Sequence, residues 1–254
     1  MNQETIIENK FAKCCITGCK YEKGSYFEYD IYTAKPDENA KELALYVLLE
    51  HSFETMPEML KQLMQEEIIP FGVVVFIRPG VLNPTIETGT IRKMRAEEFD
   101  QYGPEFSNFI IEELIPDVCQ ITGETLSSNP DMHFICGGSS GGLAAWNAVW
   151  FRNDYFHRAF LSSPTFSAMR GGEEAMVIAR KTETKPIKLY VTTGTEEPDY
   201  YLDEVYEQLR SKYRPVLRID TATMLPVYDE THAEVLERIL ERFNDYEDNY
   251  YNND

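Results

Sequence analysis

Residues 136–142 read Cys-Gly-Gly-Ser-Ser-Gly-Gly, between an apolar run from Met132 to Cys136 and a helical run from Leu143 to Arg152. A serine flanked by glycines on a sharp strand-to-helix turn stands above the sheet at a helix N-terminus, where it can act as a nucleophile. The G-x-S-x-G pentapeptide alone is a weak signal, since Gly and Ser at ~7% each produce it by chance in about one chain in ten. Its strand-before, helix-after setting gives it weight. The pattern fits twice, with the nucleophile at Ser139 or at Ser140. Ser139 has Gly137 two before it and Gly141 and Gly142 two and three after, the small residues that a tight approach of helix to strand requires. Ser140 would have Leu143 at the last of these places, so packing favours Ser139 and leaves Ser140 as the fallback. A phosphate-binding turn is the competing use of such glycines, but neither the Lys-Ser/Thr of a Walker loop nor the G-x-G-x-x-G spacing is present.

A serine nucleophile needs a base and an acid to orient it. Behind such an elbow they follow in the order acid, then histidine. The histidines are His51, His133, His157 and His232. His133 lies in the strand before the elbow, and His157 comes too soon after it. His232, after the last predicted strand and just before a closing helix, is the choice by elimination. The acid belongs just past the strand from Ile187 to Thr192, where Glu196, Glu197 and Asp199 all qualify and spacing does not choose among them. The amide of Ser140, directly after the nucleophile, would donate to a developing oxyanion.

These groups need a scaffold, and hydrophobic periodicity supplies one. Strands are expected at Phe27 to Tyr32, Leu43 to Leu49, Phe71 to Ile77, Met132 to Cys136, Ala159 to Ser162, Ile187 to Thr192 and Val216 to Asp220. Helices are expected at Glu54 to Glu67, Phe106 to Val118, Leu143 to Arg152, Leu202 to Tyr213 and Ala233 to Phe243. Alternating units of this kind make an α/β fold with a mostly parallel central sheet and helices on both faces. No linker or repeat divides the chain, so a single domain over 1–254 is expected, with N-terminal strands in 1–35 and a frayed tail over 245–254. Connections are short, which predicts no large lid and an open pocket built from Arg78 to Thr90 and the loops after the strands. Trp146, Tyr200 and Tyr201 are aromatic candidates for its wall.

The 254 residues carry 24 Lys+Arg against 43 Asp+Glu, a net charge of −19. Such a field repels polyanions and argues against nucleic acid and anionic membrane as partners. The N-terminal residues lack the basic-then-apolar pattern of a secretory signal, and no run approaches a membrane span of ~20 residues. With five cysteines (Cys14, Cys15, Cys19, Cys119 and Cys136), an odd number, reduced thiols and a cytoplasmic location are expected. Cys14, Cys15 and Cys19 lack the Cys/His pair that would complete a zinc site, so no metal is expected. For any self-association a homodimer is the expected form.

With strand, elbow and loops placed, the chain resembles the esterase family of α/β-hydrolases that contains feruloyl esterases, esterase D, enterochelin esterases and mycolyltransferases. The resemblance runs from Leu43 to Phe243. It is sharpest in FIRPGVLNPT (Phe76 to Thr85), EFSNFIIEELIPDV (Glu105 to Val118) and CGGSSGGLAAWNAVWFRNDYF (Cys136 to Phe156). It implies the α/β-hydrolase fold and ester hydrolysis through an acyl-enzyme, without metal or organic cofactor. Aligning the paired Gly141-Gly142 with the family's G-x-S-x-G-G implies Ser139 as nucleophile. The G-x-x-D acid loop falls on Gly194 to Glu197, implying Glu197 as the acid, a Glu for the usual Asp, with Asp199 as fallback. His232 follows Tyr228-Asp229-Glu230-Thr231 instead of the family's Gly-rich turn. The second oxyanion donor falls on Ser52, with His51 in place of the family's glycine. Arg95, Glu98 and Phe99 resemble a family segment that shapes the loop beside the active site. Acyl transfer on the same fold, or binding without catalysis, are the alternatives to hydrolysis. The acidity of the chain points to a small neutral ester substrate, an acyl-sugar or aryl ester, over a trianionic iron–siderophore.

Overall fold

A computed structural model describes residues 6–18, 20–21, 25–50, 56–81, 88–162, 164, 166 and 185–192. Their centre is a seven-stranded sheet in the order β1-β2-β4-β3-β5-β6-β7. The strands are β1 (Ile7–Thr17), β2 (Tyr26–Lys35), β3 (Ala44–Leu49), β4 (Gly72–Ile77), β5 (His133–Gly138), β6 (Arg158–Ser162) and β7 (Lys188–Thr192). β1 and β2 form an antiparallel hairpin, β2 lies antiparallel to β4, and β4, β3, β5, β6 and β7 are mutually parallel. The mostly parallel sheet expected from the sequence is thus observed, with an antiparallel flank.

The central strands are apolar on both sides because helices cover both sides. All six residues of β3 and of β4 are buried. Leu45, Val47 and Leu49 face one layer, shared with Phe99 of α2 (Thr88–Phe99), Phe106 of α3 (Glu105–Phe109), Val118 of α4 (Ile115–Thr122) and much of α5 (Ser140–Phe151). Ala44, Tyr46 and Leu48 face the other, with Leu60, Leu63 and Met64 of α1 (Met56–Gln65). Each fully buried Leu, Val or Phe contributes roughly 1.5–3 kcal/mol, so two layers fix which strand end faces which loop.

Some expectations need correction. The segment expected as one helix over Phe106 to Val118 is α3, a π turn (Ile110–Leu114) and α4. Pro116 in the first turn of α4 has no N–H to donate one turn back, and the wider turn absorbs the missing bond. The expected pocket wall from Arg78 to Thr90 is helical from Thr88, and Arg95, Glu98 and Phe99 belong to α2. That helix was missed because its apolar residues do not make a clean stripe. The end of the Cys136 to Phe156 stretch is a structural clamp, in which Arg152 grips Asp154 with two bonds of 2.9 Å and Phe156 is buried. Among the described residues Cys14, Cys15, Cys119 and Cys136 are free thiols, and no helix is long and apolar enough to cross a membrane. The expected helices Leu202 to Tyr213 and Ala233 to Phe243, the strand Val216 to Asp220, Tyr200, Tyr201, Cys19 and the tail lie outside the described residues.

Candidate active site

β5 runs between β3 and β6 and ends in register with them, Gly137 opposite both Leu49 and Leu161. The chain then reverses into α5 at one residue. Ser139 has φ 51° and ψ −120°, outside the right-handed, extended and left-handed helical basins. A non-glycine residue held there costs about 1–3 kcal/mol, and such strain collects where a side chain must be aimed. Ser139 precedes the first residue of α5, yet its side chain makes no capping bond to the helix, while its carbonyl accepts the Leu143 N–H at 3.3 Å. Its hydroxyl is therefore not spent on the helix terminus. Ser139 is half-buried; Ser140, the fallback nucleophile, is the first helical residue and is buried at 5% exposure.

The glycines divide into two kinds. A Cβ on Gly137 would sit 2.5 Å from the carbonyl carbon and oxygen of Gly141, so the first turn of α5 closes onto β5 only because residue 137 has no side chain. One on Gly142 would come within 3.1 Å of Pro164 and 3.2 Å of the Gly137 carbonyl. Gly141, by contrast, has room, with Leu49 Cβ at 3.6 Å. Close approach of helix to strand thus calls for glycine at 137 and 142.

Two histidines are removed from contention by position. His133 opens β5, about 20 Å from Ser139 at ~3.3 Å per residue. It is buried, with Nδ1 2.8 Å from the Tyr155 carbonyl oxygen and Nε2 2.8 Å from that of Ser127. A neutral imidazole donates to one of these, not both. His157 precedes β6 at the same far edge and approaches Asp131 at 3.3 Å. β3, β5 and β7 all end at the edge that carries Ser139. The residues that follow β3 and β7 in sequence, His51, Ser52, Glu196, Glu197 and Asp199, lie outside the described residues, as does His232.

Beside the elbow is a carboxylate that sequence reasoning passed over. Glu50 follows β3 directly, has φ 63°, and donates its N–H to the Ile77 carbonyl at 3.1 Å. Its Oε1 accepts from Arg95 Nε at 2.5 Å, and its Oε2 lies 4.0 Å from where a Cβ of Gly141 would be. Burial pushes the Glu50 carboxyl above its ordinary range, Arg95 opposes this, and Asp100 adds to it. Arg95 also lies over the Phe99 ring at 5.9 Å. Three residues on, Glu98 is buried, with both carboxylate oxygens accepting the Gly80 N–H, at 3.1 and 3.0 Å. α2 therefore anchors the ends of both β3 and β4. At the β4 end, Arg78 is paired with Asp30 at 2.6 Å.

No family model matches the chain, and no curated protein sequence matches it. Solved structures do. An enterobactin esterase from Shigella flexneri, determined in the presence of enterobactin, superposes with a TM-score of 0.61 at 23% identity, over 82% of this chain and 51% of that one. A siderophore hydrolase from Aspergillus nidulans superposes at 0.58 and 18% identity over 94% of both chains. The S-formylglutathione hydrolase of Staphylococcus aureus gives 0.53 and 15% identity over 83% of this chain and 86% of that one. The chain spans about half the length of the enterobactin esterases it matches. The fold shared with these structures is the α/β-hydrolase fold.

Proposed function

We propose that this chain is a serine esterase that hydrolyses a small neutral carboxylic ester through an acyl-enzyme. The observation that carries the reading is the backbone of Ser139, strained between β5 and α5 with a hydroxyl that caps nothing. Such a turn presents one side chain to the cleft above the strand ends. Ser139 Oγ attacks the ester carbonyl while His232 takes its proton, and Glu197, with Asp199 as the fallback acid, holds the imidazole and steadies its charge. The oxyanion is met by the amides of Ser140 and Ser52. His232 returns the proton to the leaving alcohol, and a water activated in the same way releases the carboxylic acid and restores Ser139.

The preference for a neutral ester rests on charge. Among the described residues at this edge of the sheet, Arg78 and Arg95 are each engaged by a carboxylate, Asp30 and Glu50. Cations committed in this way are poor receptors for a polyanionic ester, and the net charge of −19 adds a repelling field.

The experiment is turnover of p-nitrophenyl acetate together with labelling by a fluorophosphonate and mass mapping of the labelled peptide. The expected result is label on Ser139, with activity lost in Ser139→Ala and retained in large part in Ser140→Ala. Label on Ser140 would overturn the register, and an unlabelled, inactive wild type would overturn the esterase reading. Faster hydrolysis of a ferric tricatecholate ester than of neutral aryl and acyl-sugar esters would overturn the substrate class.

A further inference from the structure

The esterase reading assigns no role to Glu50, yet the fold invests in it. A glutamate occupies a left-handed backbone position at the end of a buried strand, where glycine would fit without strain. Its carboxylate is only 20% exposed and is gripped on one oxygen by Arg95, itself 27% exposed. The other oxygen lies against the first turn of α5, 4.0 Å from the Cβ position at Gly141, two residues beyond Ser139. Three elements therefore meet at one carboxylate: the end of β3, α2 through Arg95, and the start of the elbow helix. Among the described residues the charged groups bearing on it are Arg95 and, more weakly, Asp100.

Building on the serine-esterase reading, we propose that Glu50, tied to Arg95, is a positioning residue that fixes the end of β3 against the first turn of α5 and so holds the elbow and the Ser140 amide in register. The helix N-terminus favours an anion at this place, which aligns the turn. An unbalanced anion there would also oppose the negative charge that develops on the substrate oxygen. Arg95 resolves the conflict: it anchors the carboxylate and cancels its field. Glutamate without arginine should thus be worse than neither.

That ordering is the test, read on the full chain with p-nitrophenyl acetate from pH 6 to 9. In Arg95→Met, kcat should fall about 10²-fold at pH 8, the scale of a lost oxyanion donor, with KM changed little. Without Arg95 the Glu50 carboxyl loses the partner that lowers its pKa, so its protonation moves to higher pH. The ratio of Arg95→Met to wild-type kcat should therefore rise as pH falls and Glu50 takes up a proton. Glu50→Gln should lose about tenfold with a pH-independent ratio, and the double variant should return to the level of Glu50→Gln. Glu50→Gly, which relieves the strained turn, should keep or gain thermal stability and still lose kcat. Wild-type kcat in Arg95→Met or Glu50→Gly, or a double variant no better than Arg95→Met, would overturn the positioning role while leaving the esterase reading intact. A wild type that neither turns over nor labels on Ser139 would overturn both.

Discussion

The strain at Ser139 can be weighed directly by replacing the serine with glycine and with alanine. Both variants lose Oγ, so both should lose about 10⁵–10⁶ in kcat, the scale of removing a serine nucleophile. They differ in the backbone. At φ 51° and ψ −120° alanine retains the clash that serine suffers, whereas glycine has no Cβ to clash. The relief is about 1–3 kcal/mol; against it stands ~0.5–1 kcal/mol for the greater freedom of glycine in the unfolded chain. A net gain of about 1 kcal/mol remains. With 254 residues and an unfolding entropy of ~2.1 cal/mol/K per residue, that gain raises the midpoint by about 2 °C. Differential scanning calorimetry of the two variants under identical conditions measures it. A glycine variant melting at or below the alanine variant would refute the claim that the elbow is held under strain.

Other consequences can be checked by similar means. Gly137→Ala puts a methyl 2.5 Å from the backbone of Gly141, so it should destabilise by about 3 kcal/mol and lower activity more than Gly141→Ala, as read by melting and kcat. Glu98→Ala leaves the Gly80 N–H without its buried carboxylate; a loss of ~1.5–3 kcal/mol in chemical denaturation is expected. Burial pulls the His133 imidazole below its ordinary 6.5, against the two facing carbonyls and with help from His157. The unfolded chain therefore binds the proton that the folded chain refuses. Its contribution to stability is complete above pH 6.5 and is lost as pH falls through the depressed folded value. His133→Gln should flatten that part of the acid limb, measured by urea unfolding against pH.

Much of this architecture was legible because it is local. The runs that became β3, β4 and β5 are apolar without alternation, which is what burial between two helical layers demands. Gly137 and Gly142 marked the turn because backbones approach too closely there for a side chain to sit easily. The choice between Ser139 and Ser140 turned on Gly142 against Leu143 three residues on, and a Cβ on Gly142 would meet Pro164 at 3.1 Å. What stayed hidden is long-range. Glu50 and Arg95 are 45 residues apart, and neither type nor spacing announces a pair whose meaning comes from a third element. Arg95 and Glu98 could be taken for surface charges because the amphipathicity of α2 is faint, yet Glu98 is buried against Gly80. The π turn before Pro116 was invisible for another reason: a proline marks a missing bond, not how the helix accommodates it.

The chain has two tryptophans, Trp146 and Trp150, one turn apart on α5, with ring centroids 4.9 Å apart and planes 15° from parallel. Both are buried, and Lys185 Nζ stands 4.8 Å above the Trp150 ring. All indole emission therefore originates from the helix that starts at the elbow. Two stacked indoles at this range share their excitation, so the near-ultraviolet dichroism should carry a coupled couplet that vanishes when either is replaced. The protein thus contains an intrinsic optical gauge of its own elbow helix, readable without any attached dye.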